Sequence, residues 1–391
     1  MPPAPTYDAT GIEYYEIPDF AFSNGTTLHD VRVAYRSYNA ASSGGVVLIP
    51  TCFAGLINST LTFTGGPNDA LAGYHVVVVA MLGNSESSSA SNKAFFPAPG
   101  ELQYSDVVRA QHQLLTQHLG VQSLEAVVGF SMGGQQAYHW AVMYPGFAKR
   151  VVAICSSART SLHNYAFLEG PVAALTNSID YVAWRAMKDK AARGEAVGVN
   201  LKEVVPKRGL RAFARAYAAW LTSAAWFRER AFTSPAFGVQ TVEDWILARE
   251  QAYLLWDAED LLVLARMWQM GDVGSVGAVG GCGSEQEQEQ QGEENHTPSA
   301  SAPVSVSQLG GAIPNDDLYI KALQSIQARV LLMPCRTDQY FPPEDSEMEL
   351  KYLKHGQLAV IESSWGHMAG GGVNPKDVQF MNEQIAQFLK D

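Results

Sequence analysis

The sequence has few charged residues and no long hydrophobic segment. Of its 391 residues, 17% are charged and 47% are hydrophobic, which excludes collagen-like and wholly disordered chains and leaves enough apolar surface for a large core. The longest apolar run, Tyr74 to Leu82, is interrupted by His75 and is far shorter than the roughly 20 residues that cross a bilayer. The first residues also lack the basic and apolar regions of a secretory signal. We therefore expect a cytoplasmic protein without a membrane partner.

Cysteine is scarce, and basic residues are outnumbered by acidic ones. The four cysteines are far apart and form no CxxC pair, which gives no support to a zinc site, so we expect no metal and no other cofactor. They are Cys52, Cys155, Cys282 and Cys335. The formal charge of -12 argues against a surface that follows nucleic-acid phosphates.

Five short apolar runs, rich in β-branched residues, predict strands that are buried on both faces. They are Val46 to Pro50, His75 to Met81, Glu125 to Gly129, Val151 to Cys155, and Val330 to Pro334. Helical patterns lie between them, at Tyr104 to His118 and at Met132 to Met143. Alternation of this kind predicts an α/β fold with a mostly parallel central sheet flanked by helices, in which the functional loops follow the carboxyl ends of the strands.

The alternation stops after Cys155. Residues 158–326 are mainly helical in pattern, most clearly from Arg208 to Phe232 and from Val242 to Met270. Within this insertion, residues 274–311 are rich in Gly, Ser, Gln and Glu, which predicts a disordered surface loop. The functional alternative is a recruitment or regulatory segment. The prediction is a core of residues 1–157 and 327–391, interrupted by a helical lid at 158–326.

The most specific motif is Gly129-Phe130-Ser131-Met132-Gly133, which lies between a predicted strand and a predicted helix. This context is typical of a nucleophile elbow, a sharp turn that presents a serine hydroxyl at the end of a strand. The turn strains the serine backbone, so the positions two before and two after it must be small. Ser131 is therefore the candidate nucleophile.

A serine nucleophile needs a base and an acid that orients the base. In this type of fold the three residues follow one another along the chain in the order serine, acid, histidine. His367 follows the apolar run from Leu358 to Glu362, and Asp338 follows the strand ending at Pro334. Both lie where loops at strand ends would place them, so we assign His367 as base and Asp338 as acid.

Rival residues are less well placed. Asp345 and Glu344 follow two prolines and resemble the first turn of a helix, where acids are common for dipole reasons. Among the nine histidines, His355 ends a helical stretch and favours a surface position.

Two backbone N–H groups are needed to stabilise the negative charge that develops on the substrate oxygen. Met132, the residue after the nucleophile, would supply the first. The loop after the strand Val46 to Pro50 would supply the second, from Phe53 or from its neighbour Cys52; we assign Phe53. Cys52 is a poor independent nucleophile, because no neighbouring histidine pattern would lower its pKa.

Taken together, these segments resemble the homoserine O-acetyltransferase family of the α/β-hydrolase superfamily. The resemblance rests on GFSMGGQQAYHWAVMYP around the serine, TCFAG, AMLGNSESSSASN, WDAEDLLVLARMWQMGD and the pair Gly366-His367. It implies the α/β-hydrolase fold and transfer of an acyl group from a donor such as acetyl-CoA through an acyl-serine. It also implies a possible homodimer formed through the lid.

The chain departs from this family at the groups that bind homoserine. The family uses an Arg on a lid helix, a Tyr about two turns later, and an Asp directly after the catalytic His. Here Arg215 matches the Arg, but Thr222 or Ser223 takes the Tyr position and Met368 takes the Asp position. We therefore expect a substrate other than homoserine. Arg215 either binds a substrate carboxylate or phosphate, or pairs with an acid such as Asp257 or Asp260.

Three functions are compatible with these residues. The first is a serine hydrolase that cleaves a small or medium acyl ester through an acyl-serine. The second is an acyl-CoA-dependent O-acyltransferase with another alcohol as acceptor, and the third is a non-catalytic scaffold of the same fold. The expected partner is a small-molecule ester or acyl donor, with no nucleic acid.

Overall fold

Eight strands form one sheet in the computed structural model, which describes residues 7–201, 204–276 and 316–390. They are β1 (Glu13–Ala21), β2 (Thr27–Tyr38), β3 (Val46–Pro50), β4 (His75–Val79), β5 (Ala126–Phe130), β6 (Arg150–Ile154), β7 (Arg329–Met333) and β8 (Gly356–Leu358). Their order across the sheet is β1-β2-β4-β3-β5-β6-β7-β8, and all pairs from β4 to β8 are parallel. The predicted α/β class with a mostly parallel sheet is confirmed.

The antiparallel hairpin of β1 and β2 was not predicted from the sequence. β1 pairs with β2, and β2 pairs antiparallel with β4, so the hairpin forms one edge of the sheet. Most side chains of β1 are exposed, and several of them are polar. The sequence of this strand therefore resembles that of a loop.

Eleven helices accompany the sheet within the described ranges. They are α1 (Tyr104–Gln113), α2 (Met132–Met143), α3 (Leu162–Thr176), α4 (Ile179–Ala192), α5 (Lys207–Ala218), α6 (Ala224–Arg228), α7 (Val242–Tyr253), α8 (Ala258–Gln269), α9 (Asp316–Ser325), α10 (Pro343–Leu350) and α11 (Pro375–Lys390). Among them, no helix is long and apolar enough to cross a membrane.

The elements between β6 and β7 are helices throughout the described part of this region. The two long helices predicted there are wrong in detail, because each is interrupted. α5 ends at Ala218 before α6 begins, and Asp257 starts α8 by accepting the main-chain N–H groups of Glu259 and Asp260. Residues 277–315, which hold most of the predicted disordered loop, lie outside the described residues, and the domain boundaries stay a prediction.

The central strands are buried on both faces, as their unbroken apolar sequence indicates. In β3, Leu48 belongs to the apolar cluster on one side of the sheet, whereas Val47 and Ile49 belong to the cluster on the other side. Alternate side chains of a strand point to opposite faces, so each face has its own core. The rigid strands fix the positions of the loops at their carboxyl ends.

Candidate active site

Ser131 occupies a strained turn between β5 and α2. Its φ of +56° and ψ of -126° lie in a region that residues with a side chain seldom adopt. A Cβ on Gly129 would lie 2.1 Å from the carbonyl group of Gly133, and a Cβ on Gly133 would lie 2.6 Å from the carbonyl oxygen of Pro50. Glycine is therefore needed at both positions if the chain is to make this turn beside β3.

The structure brings Ser131, His367 and Asp338 into one hydrogen-bonded line. Ser131 Oγ lies 2.9 Å from His367 Nε2, and His367 Nδ1 lies 2.8 Å from Asp338 Oδ2. With the proton on Nδ1, the imidazole donates to the carboxylate and accepts from the hydroxyl. All three residues are buried, with at most 4% of each exposed. This arrangement allows the imidazole to take the hydroxyl proton when the oxygen attacks a carbonyl carbon.

The Asp338 carboxylate is held in place from its other side. Its Oδ1 accepts hydrogen bonds from the main-chain N–H groups of Tyr340, at 2.8 Å, and Phe341, at 3.3 Å. Oδ2 is thereby left to face His367. A carboxylate fixed in this way sets both the orientation and the tautomer of the imidazole.

Loops from β7 and β8 are joined directly beside the site. Thr337 Oγ1 donates to the carbonyl of Ser363 at 2.8 Å and accepts from the N–H of Gly366 at 3.1 Å. Gly366 has a φ of +61°, and a Cβ there would lie 2.5 Å from the backbone of Thr222 in the lid. The glycine before His367 therefore lets the lid approach the histidine loop closely.

The rival residues lie elsewhere. Asp345 and Glu344 are in the first turn of α10, and His367 bonds Asp338 rather than either of them. Burial raises the pKa of Asp345 to about 6, with the nearby charges of Glu344 and Asp338 adding to the effect. His355 is exposed just before β8.

Met132 and Phe53, the two predicted N–H donors, lie at the start of α2 and in the loop after β3. Met132 is the first residue of α2, so its N–H has no acceptor within the helix. Phe53 lies in the loop after β3, beside Cys52. Burial raises the pKa of the Cys52 thiol to about 12, which opposes a nucleophilic thiolate there. The choice between Phe53 and Cys52 as second donor stays a prediction.

Comparisons with known proteins agree with this fold. A family model described as alpha/beta hydrolase fold matches residues 45–178. An ethyl acetate hydrolase from Pseudomonas veronii is 29% identical over 385 residues, which cover 96% of this chain and 95% of that protein. A homoserine O-acetyltransferase from Trichormus variabilis is 26% identical over 382 residues, which cover 91% and 89%. The solved structure of the acetyl esterase MekB has a TM-score of 0.73 and 27% identity, and the match covers 97% of both chains.

The chain has the α/β-hydrolase fold and is similar to esterases and homoserine O-acetyltransferases of that fold. Both the resemblance and the fold inferred from the sequence are therefore confirmed, as is the prediction that the chain is an enzyme.

Aromatic rings cover the candidate site of this α/β-hydrolase. The ring of Tyr340 meets that of His367 edge-on at 4.7 Å between centroids. Lid residues Phe167, Tyr217 and Trp220 pack in turn against Tyr340. Sequence reasoning missed Tyr340, although it lies only two residues after Asp338 and beside another aromatic residue. A covered, apolar site favours small or apolar substrates and limits the entry of water.

Cys155 was also missed as a neighbour of the site. One atom each of Cys155, Asp338 and His367 lie within 4.8 Å of one another, and these three residue types can ligate a metal. However, burial raises the pKa of the Cys155 thiol well above its usual range, with the Asp338 charge contributing. The Asp338–His367 hydrogen bond also engages two of the three groups. The cluster therefore fits a histidine and its orienting acid better than a metal centre.

A cavity of about 80 Å³ lies behind the elbow. It is lined by residues of β3, of the segment that follows β3, of β5 and β6, and of the loop after His367, among them Pro50, Leu61, Phe130 and Gly370. Phe130 directly precedes Ser131, so this space borders the nucleophile turn on its sheet side.

Arg215 contacts acids of the lid, but not the ones suggested by the sequence. Its Nε bonds Glu250, and its Nη2 lies 3.6 Å from Glu243. Asp257 instead caps α8, and Asp260 binds the loop after β4 through Ser91. About half of the Arg215 side chain is exposed. These contacts favour an ion-pair role for Arg215, and substrate binding by this residue stays a prediction.

Met368 occupies an apolar position. Its N–H donates to the carbonyl of Leu221 at 3.1 Å, and its side chain packs against the lid cluster that contains Trp226 and Trp245. A substrate ammonium group would have no carboxylate partner at this position.

Proposed function

We propose that this enzyme is a serine esterase that hydrolyses small or medium acyl esters through an acyl intermediate on Ser131. The observation that carries the proposal is the buried line from Ser131 through His367 to Asp338, built on a strained turn. Relatives named ethyl acetate hydrolase and acetyl esterase support short acyl groups.

The proposed reaction has two halves. In the first, His367 Nε2 accepts the hydroxyl proton as Ser131 Oγ bonds the ester carbonyl carbon, and the carbonyl oxygen becomes negative. The N–H groups of Met132 and Phe53 would stabilise that oxygen. His367 then gives its proton to the departing alcohol oxygen as the C–O bond of the ester breaks.

In the second half, water replaces the alcohol. His367 takes a proton from water while the water oxygen bonds the acyl carbon. The proton then passes to Ser131 Oγ as the bond between Oγ and the acyl carbon breaks and the carboxylic acid leaves. Asp338 remains ionised and stabilises the imidazolium in both halves.

Replacement of the nucleophile tests the proposal. Ser131→Ala should lower kcat for para-nitrophenyl acetate by about 10⁴-fold or more, because no other group can form the acyl-enzyme. Ser85→Ala, at an exposed serine, is the matched control and should keep wild-type activity. Mass spectrometry after mixing with the ester should detect an acetyl group on the peptide that contains Ser131. Equal rates in the Ser131→Ala and control proteins would refute the assignment, and failure of a phosphonate probe to label Ser131 would favour a non-catalytic scaffold.

An acyltransferase is the second candidate, favoured by relatives named homoserine O-acetyltransferase that match most of the chain. Water and an alcohol attack the same acyl-enzyme, and exclusion of water by the lid decides between them. The apolar Met368 position argues against an amino-acid acceptor. Incubation with acetyl-CoA and a panel of alcohols distinguishes the two functions, since an esterase should release acetate without forming acetylated alcohol.

A further inference from the structure

Arg249, on α7, is a partly buried cation without an acidic partner among the described residues. Its Nε is buried and has no hydrogen-bond acceptor, and its guanidinium lies over the ring of Trp245, 4.4 Å from the centroid. Within residues 7–201, 204–276 and 316–390, no Asp or Glu forms an ion pair with it. Burial lowers the pKa of Arg249. Arg215 and Arg211, on the neighbouring helix α5, instead face Glu250.

Arg249 shares one face of α7 with two aromatic residues of the lid. Trp245, Arg249 and Tyr253 are spaced by four residues and therefore share one face of the helix. At one end of this face, Trp245 belongs to the apolar cluster against which Trp365 and Met368 pack, and these residues flank His367 in sequence.

The other end of the same face borders the loop after β3. The ring of Tyr253 packs against that of Tyr217 at 5.7 Å, and Tyr217 stacks on Phe53 at 5.7 Å. Arg249 thus lies on α7 between the part of the lid that contacts the histidine loop and the part that contacts the predicted oxyanion loop.

Burial of Nε without an acceptor, in a guanidinium that has no counter-ion, is unfavourable, and the planar fork of N–H groups matches a carboxylate. We propose that Arg249 binds a free carboxylate on the ester substrate, so that the enzyme prefers monoanionic esters to neutral esters of the same shape. The inference rests on the proposed esterase function. It differs from carboxylate binding by Arg215, because the guanidinium of Arg215 is already paired with Glu250. The apolar surroundings of Met368 offer no partner for a substrate ammonium group.

Matched pairs of esters test this specificity. Para-nitrophenyl hemisuccinate and para-nitrophenyl methyl succinate differ by a carboxylate on the acyl part, whereas O-acetylglycolate and methyl O-acetylglycolate differ by one on the alcohol part. After spontaneous hydrolysis is subtracted, the wild-type enzyme should have a kcat/KM at least tenfold higher for the anionic member of one pair. That pair identifies the side that carries the carboxylate. A wild-type enzyme that prefers the neutral member of both pairs would overturn the proposal, and this measurement depends on no variant.

Variants then assign the preference to Arg249. Arg249→Met should remove it mainly through KM for the anionic ester and leave the neutral ester within about twofold, while Arg249→Lys should retain part of it. Arg228→Met, at an exposed lid arginine, is the matched control and should keep the wild-type preference. Loss of activity on both members of a pair in Arg249→Met, in a protein with an unchanged melting temperature, would indicate a structural role and contradict the proposal.

Binding without turnover separates this inference from the esterase function. Calorimetry with Ser131→Ala protein should detect binding of succinamate, the monoamide of succinate, and weaker binding of neutral succinamide. Adding Arg249→Met to that protein should weaken succinamate binding at least tenfold and leave succinamide unchanged. If Ser131→Ala has no effect on catalysis, the esterase proposal fails, but the binding measurement still tests whether Arg249 binds a carboxylate. Equal binding of succinamate to the Ser131→Ala protein with and without Arg249→Met would refute that role.

Discussion

Asp338 illustrates how a single residue is set by its neighbours. Main-chain N–H groups of Tyr340 and Phe341 hold Oδ1, so only Oδ2 is available to His367. Asp338→Asn would keep an oxygen at the Oδ1 position for these donors and present its NH₂ group to His367. Nδ1 would then have to accept, the proton would sit on Nε2, and the imidazole could no longer accept the Ser131 proton.

We therefore expect Asp338→Asn to lower kcat about 10³- to 10⁴-fold, measured on the ester used for Ser131→Ala, with little change in melting temperature. Asp345→Asn is the control, because Asp345 is the neighbouring acid that His367 does not bond, and it should change kcat by no more than a few-fold. A similar loss in both variants would mean that the reaction depends on the combined negative charge and not on orientation of the imidazole.

At the scale of elements, the lid depends on a helix start that hydrophobic periodicity conceals. Apolar residues continue from α7 into α8, but Asp257 accepts the N–H groups of Glu259 and Asp260 and begins a new helix. α8 is buried along most of its length, and Asp260 in its first turn bonds Ser89 and Ser91 of the core. The cap thus fixes the direction of the helix that joins the lid to the sheet.

Asp257→Ala should lower the free energy of unfolding by about 1 kcal/mol, because a side-chain acceptor for the first helical N–H groups is lost. Thermal unfolding followed by circular dichroism measures the effect. Asp257→Asn keeps an amide oxygen at the same place and should stay close to the wild type. Equal destabilisation by both substitutions would attribute the effect to the charge of Asp257 instead of to its capping hydrogen bonds.

At the scale of the whole molecule, buried acids make the stability of this α/β-hydrolase depend on pH. Burial raises the pKa of Asp260 to about 7 from an ordinary 3.8, and that of Glu349 to about 7 from 4.5. At a pH between the ordinary and the raised pKa of either group, the folded protein retains a proton that the unfolded chain releases. Each group therefore lowers the free energy of unfolding as the pH rises through that interval, by up to roughly 1.4 kcal/mol per pH unit. His139 acts in the opposite direction, because burial lowers its pKa to about 4.

A comparison of two proteins isolates one of these groups. Asp260→Asn removes the titration and preserves hydrogen bonding to Ser89 and Ser91, while His139 and the other groups are common to both proteins. The variant should therefore gain stability relative to the wild type as pH rises from 5 to 7, and the difference should level off above about pH 8. Denaturant unfolding at several pH values measures it, and a difference that does not vary with pH would contradict the predicted protonation of Asp260.

The sequence by itself determined the parallel strands, the elbow at Ser131 and the positions of Asp338 and His367 after their strands. These features depend on local periodicity, on turns that only glycine permits and on chain order. Tertiary structure decided which acid faces His367, where the lid helices break, that Glu250 pairs with Arg215, and that Arg249 has no such partner among the described residues. Those outcomes depend on contacts and burial between residues distant in the chain, for which a single sequence carries no local pattern.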